Sequence, residues 1–143
     1  MTIHIIEAGY FKLDGGAMFG VVPKTLRQKK NKPDENNLCT WSMRSLLIEH
    51  GGRRILVDTG IGDKQDEKFR SHFEPHGEAS LMGSLQQAGF EPESITDVLL
   101  THLHFDHVGG AVKYDANGNL VPAFPNATYW SNEVHYNWAY YPN

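Results

Sequence analysis

The run Ile95-Thr96-Asp97-Val98-Leu99-Leu100 is followed at once by Thr101-His102-Leu103-His104-Phe105-Asp106-His107-Val108-Gly109-Gly110. The apolar run predicts a buried strand. Extended chain alternates its side chains, so His102 and His104 point one way while Leu103 and Phe105 point the other, into a core. Two imidazoles on one side, two residues apart, can share one cation. Asp106 and His107 follow where the chain turns toward a helix, and that turn brings their side chains back beside the two histidines. Neutral imidazole and carboxylate are ligands for zinc and similar divalent ions. Gly109 and Gly110 carry no Cβ, so backbone can pack closely behind the group. A His-rich surface turn that holds no metal is the other reading. The strand ahead and the glycines behind are the context a metal motif requires.

The remaining chain supplies a frame for this strand. Residues 3–8 are rich in β-branched side chains and predict a strand. Asp14-Gly15-Gly16 signals a turn, residues 18–22 a short second strand stopped by Pro23, and the polar residues 24–37 a loop. Residues 40–50 predict a longer strand, and Gly51-Gly52 a hairpin turn into residues 53–58. Ile55-Leu56-Val57 is uninterruptedly apolar, as in a strand covered on both faces. Residues 63–72 are weakly helical. Leu81, Leu85 and Ala88 recur at helical spacing over 80–88, with Gly89 as a C-terminal cap. Past the histidines, residues 115–118 predict a turn, 127–130 a strand, and 131–138 a short helix with Ser131 as its N-cap. Hairpins first, then strands alternating with helices, predict one mixed sheet layered with helices, an α/β class.

With 143 residues, 40% hydrophobic and 11% aromatic, the chain suits a single domain with a real core. The net charge of −4 gives no general reason to bind nucleic acid or an anionic membrane. The exception is local: Lys24, Arg27, Lys29, Lys30 and Lys32 fall together with no acid between them, as a solvated loop or a contact for an anionic substrate. Cys39 is the single cysteine, which excludes an internal disulfide and suits a reducing compartment. Its surroundings favour a small buried apolar side chain over a nucleophile. No apolar run approaches the roughly 18 residues of a membrane span. The first residues lack the basic and apolar regions of a signal peptide. A cytoplasmic protein is expected, with no membrane and no nucleic-acid partner.

Thr101-His102-x-His104-x-Asp106-His107-x-Gly109-Gly110 after an apolar strand resembles the metal signature of the metallo-β-lactamase superfamily. Ile55-Leu56-Val57-Asp58-Thr59-Gly60 is similar to that family's upstream strand ending in Asp-Thr-Gly. The resemblance runs over nearly the whole chain. It implies an αββα sandwich of which these residues form the N-terminal half, a mixed β-sheet with flanking helices. It implies two zinc ions in the complete fold: His102 and His104 at the first with a third histidine, Asp106 and His107 at the second. Asp58 then supports the ligand loop from behind, where the alternative is a turn aspartate capping the next segment. The implied nucleophile is a metal-bound hydroxide, with Asp106 as the catalytic residue that orients the water or carries its proton. The flavodiiron branch has Glu where this chain has His104, so the resemblance favours zinc and hydrolysis over redox chemistry. His-Leu-His-Phe-Asp-His is similar to the form in N-acyl-homoserine lactonases. Asp14-Gly15-Gly16 with residues 19–23 resembles the N-terminal hairpin of lactonases and methyl parathion hydrolase-like enzymes.

In that family the third histidine, the bridging carboxylate and the last histidine come from the second half of the fold. Residues 1–143 are therefore expected to be one such domain, incomplete at its C-terminus, with a homo-oligomer possible because Trp130, Tyr136, Trp138, Tyr140 and Tyr141 lack cover. His135 is the one histidine after the motif, a substitute ligand or a helix-surface residue. Met18 and Phe19 line a pocket or fill a core; His72 and His76 sit on the surface. The function expected is zinc-dependent hydrolysis of a small-molecule lactone or other ester. Thioester or phosphoester hydrolysis is the alternative within the family, and a non-catalytic metal-binding fragment the alternative outside it.

Overall fold

The structure, a computed structural model, describes residues 1–142. The main sheet orders its strands β1 (Thr2–Asp14), β2 (Leu38–His50), β3 (Arg53–Val57), β4 (Asp97–Leu99) and β7 (Thr128–Trp130). β1, β2 and β3 pair antiparallel; β3, β4 and β7 pair parallel. Gly51 and Gly52, with φ of 56° and 78°, close the β2–β3 hairpin in the left-handed geometry that matches strand twist. Parallel pairing of β3 and β4 requires a crossover, and helices α3 (Glu67–Phe73) and α4 (Leu81–Gln87) lie within it. β5 (Val112–Tyr114) and β6 (Leu120–Pro122) form a separate hairpin whose turn Asp115 holds by accepting from Asn117 and Asn119 N–H groups.

One face of the main sheet is packed. Leu47, Leu56 and Val98 share a row across three strands and are fully buried with Leu85, Ile95 and Phe124. Each such side chain contributes about 1.5–3 kcal/mol. Ser80 starts α4 by accepting from Gly83 N–H, within the span where a helix was expected. The other face carries the row Ile5, Leu46, Val57, Leu99 and Trp130. Ile5 is 68% exposed, and Leu46, Leu99 and Trp130 are exposed too. The apolar run 55–57 is thus covered on one face among the described residues, where two were expected.

Asp97 holds the exposed side together. Its carboxylate, 3% exposed, accepts from Arg53, from Thr96 Oγ1 at 2.6 Å and from Trp130 Nε1 at 2.8 Å. The Arg53 guanidinium, followed by those two donors, holds its pKa well below the carboxylate range against the cost of burial. A depressed folded-state pKa contributes stability above the unfolded value of 3.8 and loses it as pH falls through the folded value. Asp97→Asn is expected to destabilise by about 2 kcal/mol near neutral pH. The gap between variant and parent should narrow once pH drops below about 4 in urea titrations. An unchanged gap at acid pH would refute the assignment.

Several local expectations are corrected. Residues 18–22 are not a strand: α1 (Gly15–Phe19) forms, because Asp14 at the end of β1 accepts from Gly16 N–H and caps a helix, leaving Val21 wholly exposed. The lactonase-like hairpin expected there is a helical excursion instead. Within 24–37 a further short helix, α2 (Lys24–Arg27), folds Arg27 inward to 7% exposure, beside Gly15 and Cys39, while the lysines stay exposed. Cys39 is buried, as expected. The last helix, α6 (Glu133–Tyr140), is capped by Asn132 accepting from Val134 N–H, in place of Ser131. Among the described residues no helix is long and apolar enough to cross a membrane.

Candidate metal centre

Ligands of open α/β sheets gather beyond the carboxyl ends of parallel strands. Here β3, β4 and β7 point their carboxyl ends to one edge. The ladder continues through Asp58 N–H to Leu99 O and Leu100 N–H to Trp130 O, both 2.9 Å. Beyond it β3 delivers Asp58, β4 delivers residues 101–107, and β7 leads into α6. His104 is extended, and α5 (Phe105–Val108) turns the chain back directly after it. Leu103 packs against the main core, and Phe105 sits among Phe11, Phe69 and Phe73. Those anchors leave the imidazoles on the opposite side. The His102 ring centre lies 4.7 Å from that of His104 and 3.9 Å from that of His107. Asp106 Oδ2 is 3.4 Å from His107 Nε2.

Backbone behind these rings is locked to the end of β3. Thr59 donates its N–H and its hydroxyl to His107 O, at 2.7 and 2.9 Å. Gly110 N–H donates to Gly60 O at 3.0 Å, and Lys64 Nζ donates to Gly109 O. Burial pushes the Lys64 ammonium down. Asp58, at φ 59°, turns its carboxylate under the loop. It accepts from Thr101 N–H at 2.8 Å, Thr101 Oγ1–H at 2.7 Å and His107 Nδ1–H at 2.8 Å. An ionised carboxylate only accepts, so the proton on His107 lies on Nδ1 and Nε2 keeps its lone pair. Burial first, then the neighbouring His107 and His104 rings, push the His102 imidazole toward its neutral form.

Among the described residues, no three His, Cys, Asp or Glu side chains already stand as a complete coordination set. The donor chemistry nevertheless fits a divalent ion of the zinc type: His102 in ring contact with His104 and with His107, a carboxylate beside His107, and a second carboxylate fixing that ring from behind.

A cavity of about 300 Å³ opens beside Asp106 and His107, walled by Phe11, Met18, Trp41 and Ser45. Met18 thus lines it, whereas Phe19 packs on Trp41, ring centres 5.5 Å apart. α6 brings His135 to 6.3 Å from the His102 ring and Trp138 to 5.9 Å from the His104 ring. His72 and His76 lie elsewhere, His76 stacked on Tyr10. Thr59 and Lys64 carried no sequence signal for their supporting contacts, since both bond backbone carbonyls. Thr101 had one, its place directly before His102.

A mixed sheet with helices on one face and a histidine–carboxylate group at its strand ends defines a layered α/β protein of the metallohydrolase kind. The Metallo-beta-lactamase superfamily profile matches residues 44–141, and the chain belongs to that superfamily. A probable metal-dependent hydrolase from Staphylococcus aureus superposes with a TM-score of 0.87 at 34% identity, over 99% of this chain and 50% of that one. AidC, a dizinc quorum-quenching lactonase seen with the product N-hexanoyl-L-homoserine, superposes at 0.67 and 27% identity, over 95% of this chain and 43% of its own. An N-acyl homoserine lactonase of Bacillus thuringiensis is 31% identical over 84 residues, 52% of this chain and 32% of that protein. Ribonuclease TTHA0252 of Thermus thermophilus is 35% identical over 78 residues, 54% of this chain and 15% of that protein. The chain spans half or less of the length of each.

Proposed function

We propose that this chain carries the first part of a zinc-dependent hydrolase site for a lactone or other ester with an apolar acyl group. The carrying observation is the group His102, His104, Asp106 and His107, backed by Asp58, at the mouth of a cavity walled by Phe11, Met18 and Trp41. The dizinc lactonase among the similar structures supports zinc as the metal. Bound zinc supplies Lewis acidity and an acidified water. His102 and His104 would hold the first ion, and His107 the second. Asp106 would help hold the second ion and would carry a proton to the leaving oxygen. The aromatic and Met18 wall excludes water and seats the acyl chain. The bare sheet face, with the half-length match to relatives, supports reading residues 1–143 as the N-terminal part of a two-part domain whose remaining ligands lie elsewhere. A reducing cytoplasmic setting belongs to this reading, supported by the lone buried cysteine.

The ribonuclease similarity favours a phosphoester as the second reading. Net charge of −4 and an apolar cavity wall weigh against it. Metal analysis of the chain, with a panel of an acyl lactone, a thioester and a phosphodiester run on the protein of the complete reading frame, tests both. Bound zinc and chelator-sensitive lactone turnover are expected. Metal-free protein would sink the proposal, and phosphodiester cleavage alone would replace it with the second reading.

A further inference from the structure

Thr101 stands between two groups of the site and has a single proton to give. Its Oγ1 is 2.7 Å from Asp58 Oδ2 and 3.1 Å from His102 Nδ1. The Asp58 carboxylate brings no proton to that contact, and two oxygens approach to 2.7 Å only with a hydrogen between them. The hydroxyl proton therefore points at Asp58. What remains on Oγ1 toward His102 is a lone pair, so the contact at 3.1 Å requires a proton on His102 Nδ1. A neutral imidazole with its proton on Nδ1 has its lone pair on Nε2. The same carboxylate oxygen accepts from His107 Nδ1 at 2.8 Å and imposes the same tautomer there.

We propose that Thr101 is a positioning residue: its hydroxyl relays the charge of Asp58 to His102 and fixes that ring as the Nδ1–H tautomer, with Nε2 free for the metal. Asp58 thereby sets two imidazoles, His107 directly and His102 through Thr101. The inference rests on the metal-site reading above for its consequence, but the tautomer is a property of the chain itself. Free rotation of the His102 ring would offer either nitrogen outward. The relay removes that freedom before any ion arrives, which lowers the ordering a ligand must impose.

The test compares Thr101→Val, which keeps the shape and the Thr101 N–H bond to Asp58, with Thr101→Ser, which keeps the hydroxyl. Nitrogen-15 NMR of the metal-free full chain, above the histidine titration range, reads the His102 tautomer. Zinc affinity is read by competition with a chromophoric chelator. Thr101→Val is expected to lose the Nδ1–H tautomer of His102, leave His107 unchanged and bind zinc about tenfold more weakly. Thr101→Ser should match the parent in both. An unchanged His102 tautomer in Thr101→Val overturns the relay, as does a His102 proton on Nε2 in the parent. If the parent binds no zinc, the metal-site reading fails while the NMR result still decides the relay.

Discussion

Gly109→Ala is expected to destabilise the fold by about 3–4 kcal/mol and to release the histidine loop from the sheet. The backbone angle is not the reason, since Gly109 has φ of −56°. Space is. A Cβ there would lie 2.1 Å from Ile61 O and 2.6 Å from Ile61 C, both backbone atoms with no rotamer to give way. Relief requires residues 59–61 and 107–110 to separate. That stretches the two Thr59 bonds to His107 O, the Gly110 bond to Gly60 O and the Lys64 bond to Gly109 O. At about 1 kcal/mol for each internal bond, four weakened contacts give the stated loss. Gly118→Ala is the comparator. It adds a Cβ in open space at φ 79°, so it pays conformational strain alone, about 1 kcal/mol. Urea midpoints at constant slope measure both. Equal losses in the two variants would show that the close approach behind the histidines carries no special weight.

That close approach is also where sequence reasoning reached furthest. Two consecutive glycines after Val108 implied backbone packed behind the ligand loop before any partner was known. The partner itself, the turn 59–61 after β3, is 48 residues away in sequence from His107 through Thr59, and no local pattern points to it. Similarly, the spacing of Leu81 and Leu85 announced a helix and Gly51-Gly52 a turn, because those signals act within four residues. Residues 18–22 misled for the opposite reason. Met18, Phe19, Val21 and Val22 suit a strand, but Asp14 bonds Gly16 N–H and starts a helix at Gly15, three residues earlier. Propensity lost to one capping bond. The strands Val112–Tyr114 and Leu120–Pro122 are three residues each, too short to show alternation, although the Asp115 turn between them was legible. The bare row from Ile5 to Trp130 has the composition of a covered face, so sequence alone cannot tell that it lies open.

Asp58→Asn is expected to weaken zinc binding by about 10–100-fold while lowering stability far less than Gly109→Ala. Asparagine accepts the φ of 59° and keeps one oxygen for Thr101 N–H, so the turn survives. The amide NH₂ now takes the place of the oxygen that His107 Nδ1 and Thr101 Oγ1 both bond. A donor facing Nδ1 forces His107 into the tautomer with its proton on Nε2, the nitrogen beside Asp106. No lone pair is then left there for an ion. The Thr101 hydroxyl loses its acceptor and can turn its own proton toward His102 Nδ1, which moves that ring the same way. Two donors are lost by one substitution, so Asp58→Asn should exceed Thr101→Val, which touches only His102. Combining the two should add little to Asp58→Asn alone, because both act on one hydrogen-bonded group. Competition titration of the three variants with a chromophoric chelator reads the order directly. Fully additive losses would mean that Asp58 and Thr101 act on the histidines separately, and a parent-like affinity for Asp58→Asn would mean that the carboxylate merely caps a turn.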